Sequence, residues 1–503
     1  MRSAQNSAHT DLALAKTAGR LSNQPSQHFF TPRLMLLTRT KLFAICSLNS
    51  QDEPIAASVY RYLRLVVNLF LFWTFKPIPI PENPTLHPSD VTVILPTLDG
   101  EGIELERTIQ SILKNEPKQL ILVTIDDNLH KAQELLAKMP ASDHGRLRCM
   151  SVKQANKRRQ MARAVPEVTT PIIVFADDDV DWPRKTLQWL LAPFEDAKAR
   201  YGGVVTCQRL RRAEKPNSSQ RIWNFLGALY LERRNFDCAA MTRIDGGMPC
   251  LSGRTVAYRT EILKDPAFTN GFTDERWGMS GQYQLNADDD NFITRWLLSH
   301  GWQNYMQYHP ECEVQTTLED NPKFLKQCLR WARSNYRSNL TSLVIERHVW
   351  TNQPWSTYAV QLTTLSPPAL IGDLALWLFL YLGTYDWQRQ EKHQAYFVLG
   401  AMMAFSKFIK LITHFIRFPV DILLLPISVA FGWYHGVIKL HAGFTLHETT
   451  WGSRAGADAS DSERMVRQNK HNERHIYNYY DEKAFLEKTP LTHDFASTQA
   501  IAA

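Results

Sequence analysis

Three runs of acids and one basic helix hold the residues whose types and spacing could do chemistry. Asp177, Asp178 and Asp179 close the stretch IIVFADDDVD at Ile172–Asp181. Like charges packed into one turn repel, and a bound cation relieves the repulsion. Carboxylate oxygens suit Mg²⁺ or Mn²⁺, ions that commonly bridge carboxylates to a substrate's phosphates. The plainer reading is a solvated acidic turn. Asp126 and Asp127 end a second apolar run, and Asn286–Asp290, NADDD, stands ahead of the helical Phe292–His300. There a carboxylate either caps the helix or, with its pKa raised by like-charged neighbours, accepts a proton from a hydroxyl. Asn321–Asn339 sets Lys326, Arg330, Arg333 and Arg337 opposite Phe324, Leu325, Cys328, Leu329 and Ala332. Such a basic amphipathic helix suits a membrane interface. Its Arg330 beside Trp331 suits a diphosphate and offers a sugar a stacking plane.

The elements that must position these residues alternate in type. Val91–Leu95, Leu120–Ile125, Arg148–Val152, Ile172–Phe175 and Gly203–Cys207 are β-prone runs. Between them Glu104–Lys114, Lys131–Lys138, Lys157–Val165 and Lys185–Phe194 carry helical spacing. Repeated βα units indicate an α/β, doubly wound, mostly parallel sheet. Such sheets bind ligands at the carboxyl ends of their strands, where both Asp126/Asp127 and Asp177/Asp179 fall. Asn224–Phe236 reads as a helix and Leu251–Arg259, LSGRTVAYR, as a strand.

At 503 residues the chain is too long for one compact core. Residues 1–50 read as a disordered polar lead with no cleavable signal. Residues 51–76 contain the first candidate span, Ala56–Phe75, whose Arg61 and Arg64 must snorkel or face protein. A buried amphipathic helix is the alternative there. The prolines of Lys76–Pro88 make a stiff exit into a domain over 90–320. The helical stretch 321–345 follows, then a membranous region over 357–440, then a polar tail over 441–503. Three spans are expected: Thr357–Leu382, interrupted by Pro367-Pro368, then Ala395–Thr413 and Val420–Leu440. Lys407, Lys410 and Arg417 place one pair of ends on the cytosolic side. The net charge of +7 is dispersed, which fits membrane lipids better than nucleic acid as a partner. Seven scattered cysteines, none at CxxC spacing, argue against a zinc site and for a reducing compartment.

The order of these motifs resembles membrane-embedded family 2 glycosyltransferases. An Asp-Asp strand end, then DxD, then an acidic cluster ahead of a helix, then QxxRW (Gln327, Cys328, Leu329, Arg330, Trp331) is similar to the hyaluronan synthase and fungal polysaccharide synthase branch. LPTLDGEG at Leu95–Gly102, LSGRTVAYR and TWGSR at Thr450–Arg454 match further, so the likeness covers roughly 90–454. The resemblance implies a GT-A sheet set between transmembrane helices, with the QxxRW helix at the interface. It implies a UDP-sugar donor, Mn²⁺ or Mg²⁺, a growing polysaccharide as product, and a multi-pass protein of the plasma membrane with its catalytic domain in the cytosol. Asp126 or Asp127 would contact the uracil or ribose, and Lys157 would lie near the nucleotide. Asp177 and Asp179 would meet the diphosphate, with Asp179 as the direct metal ligand. Asp290 would be the base, with Asp289 as the fallback because three acids stand where the family has Gly-Asp-Asp or Glu-Asp. Gln327, Arg330 and Trp331 would close over the diphosphate and acceptor end, and Ser252 and Gly253 would line the acceptor site.

The leading expectation is therefore a processive, inverting synthase that passes its polymer through its own channel. The alternatives are a transferase adding one sugar to a lipid or short acceptor, and a catalytically silent scaffold. Three spans would put the tail opposite the catalytic domain, whereas the TWGSR likeness puts it beside that domain; a re-entrant or broken segment reconciles the two. The sequons at Asn217 and Asn339 fall in the region expected in the cytosol and read as chance matches.

Overall fold

A computed structural model describes residues 53–449, apart from 197 and 279. The polar lead, most of the tail and the TWGSR motif lie outside the described residues.

Helix α1 (Glu53–Trp73) leads through an irregular connector into the sheet. Its strands are β1 (Val91–Pro96), β2 (Gln119–Ile125), β3 (Leu147–Val152), β4 (Ile172–Ala176), β5 (Tyr201–Thr206), β6 (Thr255–Arg259) and β7 (Gln303–Gln307). Their spatial order is β7-β5-β6-β4-β1-β2-β3, all parallel except β6, which runs antiparallel to both neighbours. The expected doubly wound sheet is thus present. Each central strand is buried on both faces, and alternation divides its side chains between two cores. Val91, Val93, Leu120, Leu122, Ile172 and Val174 join α2 (Ile103–Leu113) and α3 (Leu129–Ala137) on one side. Ile94, Ile121, Val123, Ile173 and Phe175 face the other core with Met161 of α4 (Lys157–Ala164) and Ala239 of α5 (Ser218–Ile244). Ile293 and Leu297 of α6 (Asp289–Ser299) complete that side.

Three departures from the sequence reading have simple causes. The strand expected over Leu251–Arg259 begins only at Thr255, because the Ser252–Gly253 turn precedes it. The helix expected at Asn224–Phe236 is the longer α5, capped by Asn217, whose side chain accepts from the Gln220 N–H. Strand β7, QNYMQ, has no apolar run to announce it, yet it completes the sheet beside β5.

The QxxRW helix is α7 (Lys323–Leu340). Its apolar face, Phe324, Cys328 and Ala332, packs against Ile438 and Ala442 of α10 (Leu425–Phe444). Phe324 lies 5.9 Å from Phe431, and Gly443 lies against the Tyr336 ring. The two helices therefore run side by side in the same direction. Two arginines of the basic face of α7 turn into the protein, Arg337 pairing with Asp288 and Arg333 with Glu448, while Lys326 is exposed. Asn339 is buried and donates to Thr364, which leaves no room for a glycan.

The segments Arg389–Arg417, which begins with α9 (Arg389–Phe408), and Pro419–Phe444 are long and apolar enough to cross a membrane. The stretch expected as a kinked span breaks at its prolines into Pro354–Leu365 and α8 (Ala369–Gly383), bent by 97°. Counting that pair as one span makes three. Buried Asp373 of α8 gathers Arg61 of α1, Lys407 of α9 at 3.1 Å and Trp433 of α10 at 2.8 Å. Arg61 thus faces protein, as does Arg64, which donates to the Ala359 carbonyl. Thr445 and Glu448 return to Arg333, so the chain after α10 comes back to α7.

Candidate active site

The carboxyl end of β4 delivers the first acidic turn into a cleft that α4, α6 and α7 enclose. Asp177 is fixed at both ends: its N–H donates to the Arg254 carbonyl at 3.1 Å, and Oδ1 meets Lys157 Nζ at 2.7 Å. Asp178 accepts from Thr97 Oγ1, and Asp179 from Thr317 Oγ1, each at 2.8 Å. Burial, with Asp177 and Asp178 beside it, pushes Asp179 up to about 6 against the pull of Arg254. Among the described residues no three His, Cys, Asp or Glu side chains form a cage for a metal. The turn nonetheless suits Mg²⁺ or Mn²⁺, which bind through one or two carboxylates plus substrate phosphates, and a cation there relieves the crowding of charge.

The second acidic turn caps α6. Asp288 adopts a left-handed conformation, φ 68°, that a short polar side chain tolerates better than most. Arg337 grips its Oδ2 through Nε at 3.0 Å and Nη2 at 2.7 Å. Burial alone would raise this carboxyl, but Arg337 and Ser334 hold it below the usual range. Asp289 Oδ2 lies 3.2 Å from Lys157 Nζ, an ion contact without hydrogen-bond geometry. Asp290 lies beyond both cations' direct grasp; its Oδ2 accepts from the Cys250 thiol at 3.3 Å. Burial and then Asp289 raise its pKa, opposed by Arg234 and Lys157. Burial also pushes the Cys250 thiol up to about 12, so it keeps the proton it donates.

Lys157, the first residue of α4, thereby bridges the two turns. It is buried, and its carboxylate neighbours hold it charged despite that burial. Gly253 makes the bridge possible, since a Cβ there would stand 3.2 Å from Lys157 Nζ and 3.3 Å from Asp289 Oδ2. The α7 side supplies Gln327, Arg330 and Trp331 to the same cleft. Gln327 Oε1 is buried with no hydrogen-bond partner among the described residues. Trp331 stacks on Tyr230 of α5, with centroids 4.8 Å apart and planes inclined by 28°.

The cleft therefore unites Lys157, Asp177, Asp179, Ser252, Gly253, Asp289, Asp290, Gln327, Arg330 and Trp331. Asp126 and Asp127 stay outside it, exposed on the turn after β2, where Asp126 accepts from Ser151 at 2.6 Å. The sequence reading passed over Tyr230 and Arg234, one helical turn apart on α5, and Cys250 and Arg254 flanking Ser252–Gly253. The i, i+4 spacing of the first pair was the available signal.

Residues 87–334 match the model of a family described as "Glycosyltransferase like family 2". A "Type 2 glycosyltransferase" of Zymoseptoria tritici is 53% identical over 412 residues, 82% of this chain and 85% of that one. The "NDP-glycosyltransferase ltbB" of Aspergillus luteorubrus is 27% identical over 399 residues, 77% of this chain and 94% of that one. A mannosyltransferase from Pyrobaculum calidifontis, solved with GDP-Man and Mn²⁺, aligns with a TM-score of 0.47 at 15% identity. That alignment covers 79% of this chain and 99% of the other.

Proposed function

We propose, from the premise that this chain belongs to glycosyltransferase family 2, that it is a processive inverting enzyme extending a β-linked polysaccharide from a UDP-sugar. The observation that carries the proposal is the pairing of the two acidic turns across Lys157, with Asp290 the acid of the second turn that has no ion pair among the described residues. Inversion needs one base and no carboxylate nucleophile. Asp290, its proton affinity raised by burial, takes the proton of the acceptor hydroxyl as that oxygen attacks the anomeric carbon. The bond to the donor diphosphate breaks in the same displacement, and Arg330 stabilises the charge that develops there. Asp179, with Asp177, would hold Mn²⁺ or Mg²⁺, which supplies electrostatic stabilisation to the same leaving group. Trp331 on Tyr230 gives the terminal sugar an aromatic platform. Ser252 and Gly253 border that end of the cleft, while Asp126 or Asp127 on the outer rim would meet the base or ribose.

Processivity is supported by the packing of α7 on α10: the helix that carries the platform lies directly against an apolar helix long enough to span a bilayer. We place the catalytic domain in the cytosol, where UDP-sugars are made and free thiols persist, and the polymer's exit path through the membrane helices. The test is UDP release by detergent-purified protein with Mn²⁺ or Mg²⁺ across a panel of UDP-sugars. Release with one donor, accompanied by high-mass product, is the expected result. A product extended by one sugar only would replace polymerisation with single transfer, and silence with every donor would remove the UDP-sugar reading.

A further inference from the structure

Arg254 stands in the turn just ahead of β6, and its backbone is stapled to Asp177 through the 3.1 Å hydrogen bond already described. Its side chain is held by neutral partners. Nη1 donates to Gln208 Oε1 at 3.0 Å and to Ser252 Oγ at 3.4 Å. The guanidinium carbon stands 5.5 Å from the centroid of Trp331, within cation–π range. Lys157, Arg158, Arg295 and Arg337 each have a carboxylate in ion-pair contact, whereas no ion pair among the described residues includes Arg254. It nevertheless lines the acid-rich cleft between the Asp177–Asp179 turn and the QxxRW side chains. Its charge reaches both, drawing the Asp179 carboxyl downward and disfavouring the charge on Arg330. Arg254 and Arg330 line the same cleft, and Arg forks match phosphate oxygens in geometry.

We propose that Arg254 is a second cationic contact for the donor's diphosphate, acting with Arg330. The proposal rests on the glycosyl-transfer reading and adds a residue to it. In the displacement, the acceptor oxygen forms its bond to the anomeric carbon and its proton passes to Asp290. The electron pair of the broken bond goes to the terminal phosphate oxygen of the departing nucleoside diphosphate. Arg254 donates to that oxygen or its geminal neighbours from its place beside the Trp331 ring. A cation in this place has a second consequence: it repels a metal ion arriving at Asp179 before the nucleotide is bound.

The test uses the full-length, detergent-purified protein with Arg254→Met and Arg254→Lys, measured by calorimetric titration with Mn²⁺ alone and with UDP at saturating Mn²⁺. For Arg254→Met we expect Mn²⁺ binding unchanged or up to about tenfold tighter, and UDP binding weaker by about tenfold or more. Arg254→Lys should restore part of the UDP affinity, and turnover should fall in the same order. Unchanged UDP affinity in Arg254→Met would overturn the proposal. So would a joint loss of Mn²⁺ and UDP binding with a lowered Tm, since that pattern marks an architectural arginine. The titrations do not need turnover: UDP bound through Arg254 by a protein that transfers no sugar would sink the wider function while leaving this contact standing.

Discussion

Two copies of the same tripeptide, Asp177-Asp178-Asp179 and Asp288-Asp289-Asp290, face one cleft and are neutralised in different ways. In the first, Asp178 and Asp179 take hydroxyl partners, Thr97 and Thr317, and Asp177 meets Lys157. The crowding is left in place, and together with burial, the larger cause, it pushes Asp179 up to about 6. In the second, the first acid is consumed by structure: Arg337 ties Asp288 into an ion pair with both side chains almost wholly buried. That pair fixes the left-handed turn from which Asp290 projects. Identical residues thus become a cation-hungry turn on a strand end and, on the proposed reading, an anchored base on a helix start. The difference lies in what the neighbouring elements bring, chiefly Arg337 from α7 for one turn and hydroxyls from loops for the other.

The comparison breaks most visibly at Asp290. Asp290→Asn keeps the size and the contact to Cys250 but removes the proton acceptor, so turnover should fall by about 10²–10⁴-fold. UDP binding at saturating Mn²⁺ should hardly change, because the first turn is intact. A variant retaining more than a tenth of wild-type turnover would transfer the base role to Asp289.

Asp288→Asn should act on stability instead. Removing one partner of a buried pair leaves Arg337 charged and unmatched, at a cost of about 3–5 kcal/mol. For a domain of this size that lowers Tm by roughly 6–20 °C in a thermal melt. The two acids also carry opposite pH signs. Asp288 is held below its ordinary value, so its stabilisation is present above that value and fades as pH falls through the depressed one. Asp290 is held above its ordinary value, so its contribution to stability fades as pH rises, while the rate, which needs the base deprotonated, climbs. Melting and kcat profiles on the acid side should therefore respond to different members of one tripeptide.

Much of this was legible in the chain because apolar runs ending in acids leave few options. Ile172–Ala176 and Gln119–Ile125 have the composition of strands buried on both faces, and both acids do lie at their carboxyl ends. The α7 pattern was equally plain, but periodicity reports a face and not its partner. Its arginines read as a membrane-facing stripe, yet Arg337 is occupied by Asp288 and by the Leu446 and Glu448 carbonyls. Arg254 was within a quoted motif and still silent, because its role depends on Trp331, 77 positions further along the chain. Strand β7 was missed for a related reason: Gln307 is fully buried, held by the Ile78 and Trp189 carbonyls, and a polar residue satisfied in this way mimics a loop.

Lys157 joins the two turns, so its removal sharpens the contrast between them. Lys157→Met takes away a charge that lowers the proton affinity of Asp290. The acid limb of the kcat profile should move to higher pH. Asp177 loses its ion pair with Lys157 in the same step, so UDP–Mn²⁺ binding should change as well. A shift in the limb with binding untouched would mean that Lys157 serves the second turn alone.

The smallest effect is expected at Asp178, the one acid of the first turn to which no role in donor or metal binding has been given. Asp178→Asn retains a carbonyl oxygen to accept from Thr97, so the turn should keep its shape. Losing a like charge next to Asp179 should bring that carboxyl down toward its ordinary range, because Asp178 is among the groups that raise it. Turnover at saturating Mn²⁺ should stay within about threefold of wild type, since no bond to substrate is removed. The metal concentration for half-maximal rate should rise modestly, because one carboxylate charge attracting the ion is gone. A loss of a hundredfold would instead make Asp178 a direct ligand, and the two tripeptides would then differ less than their neighbours suggest.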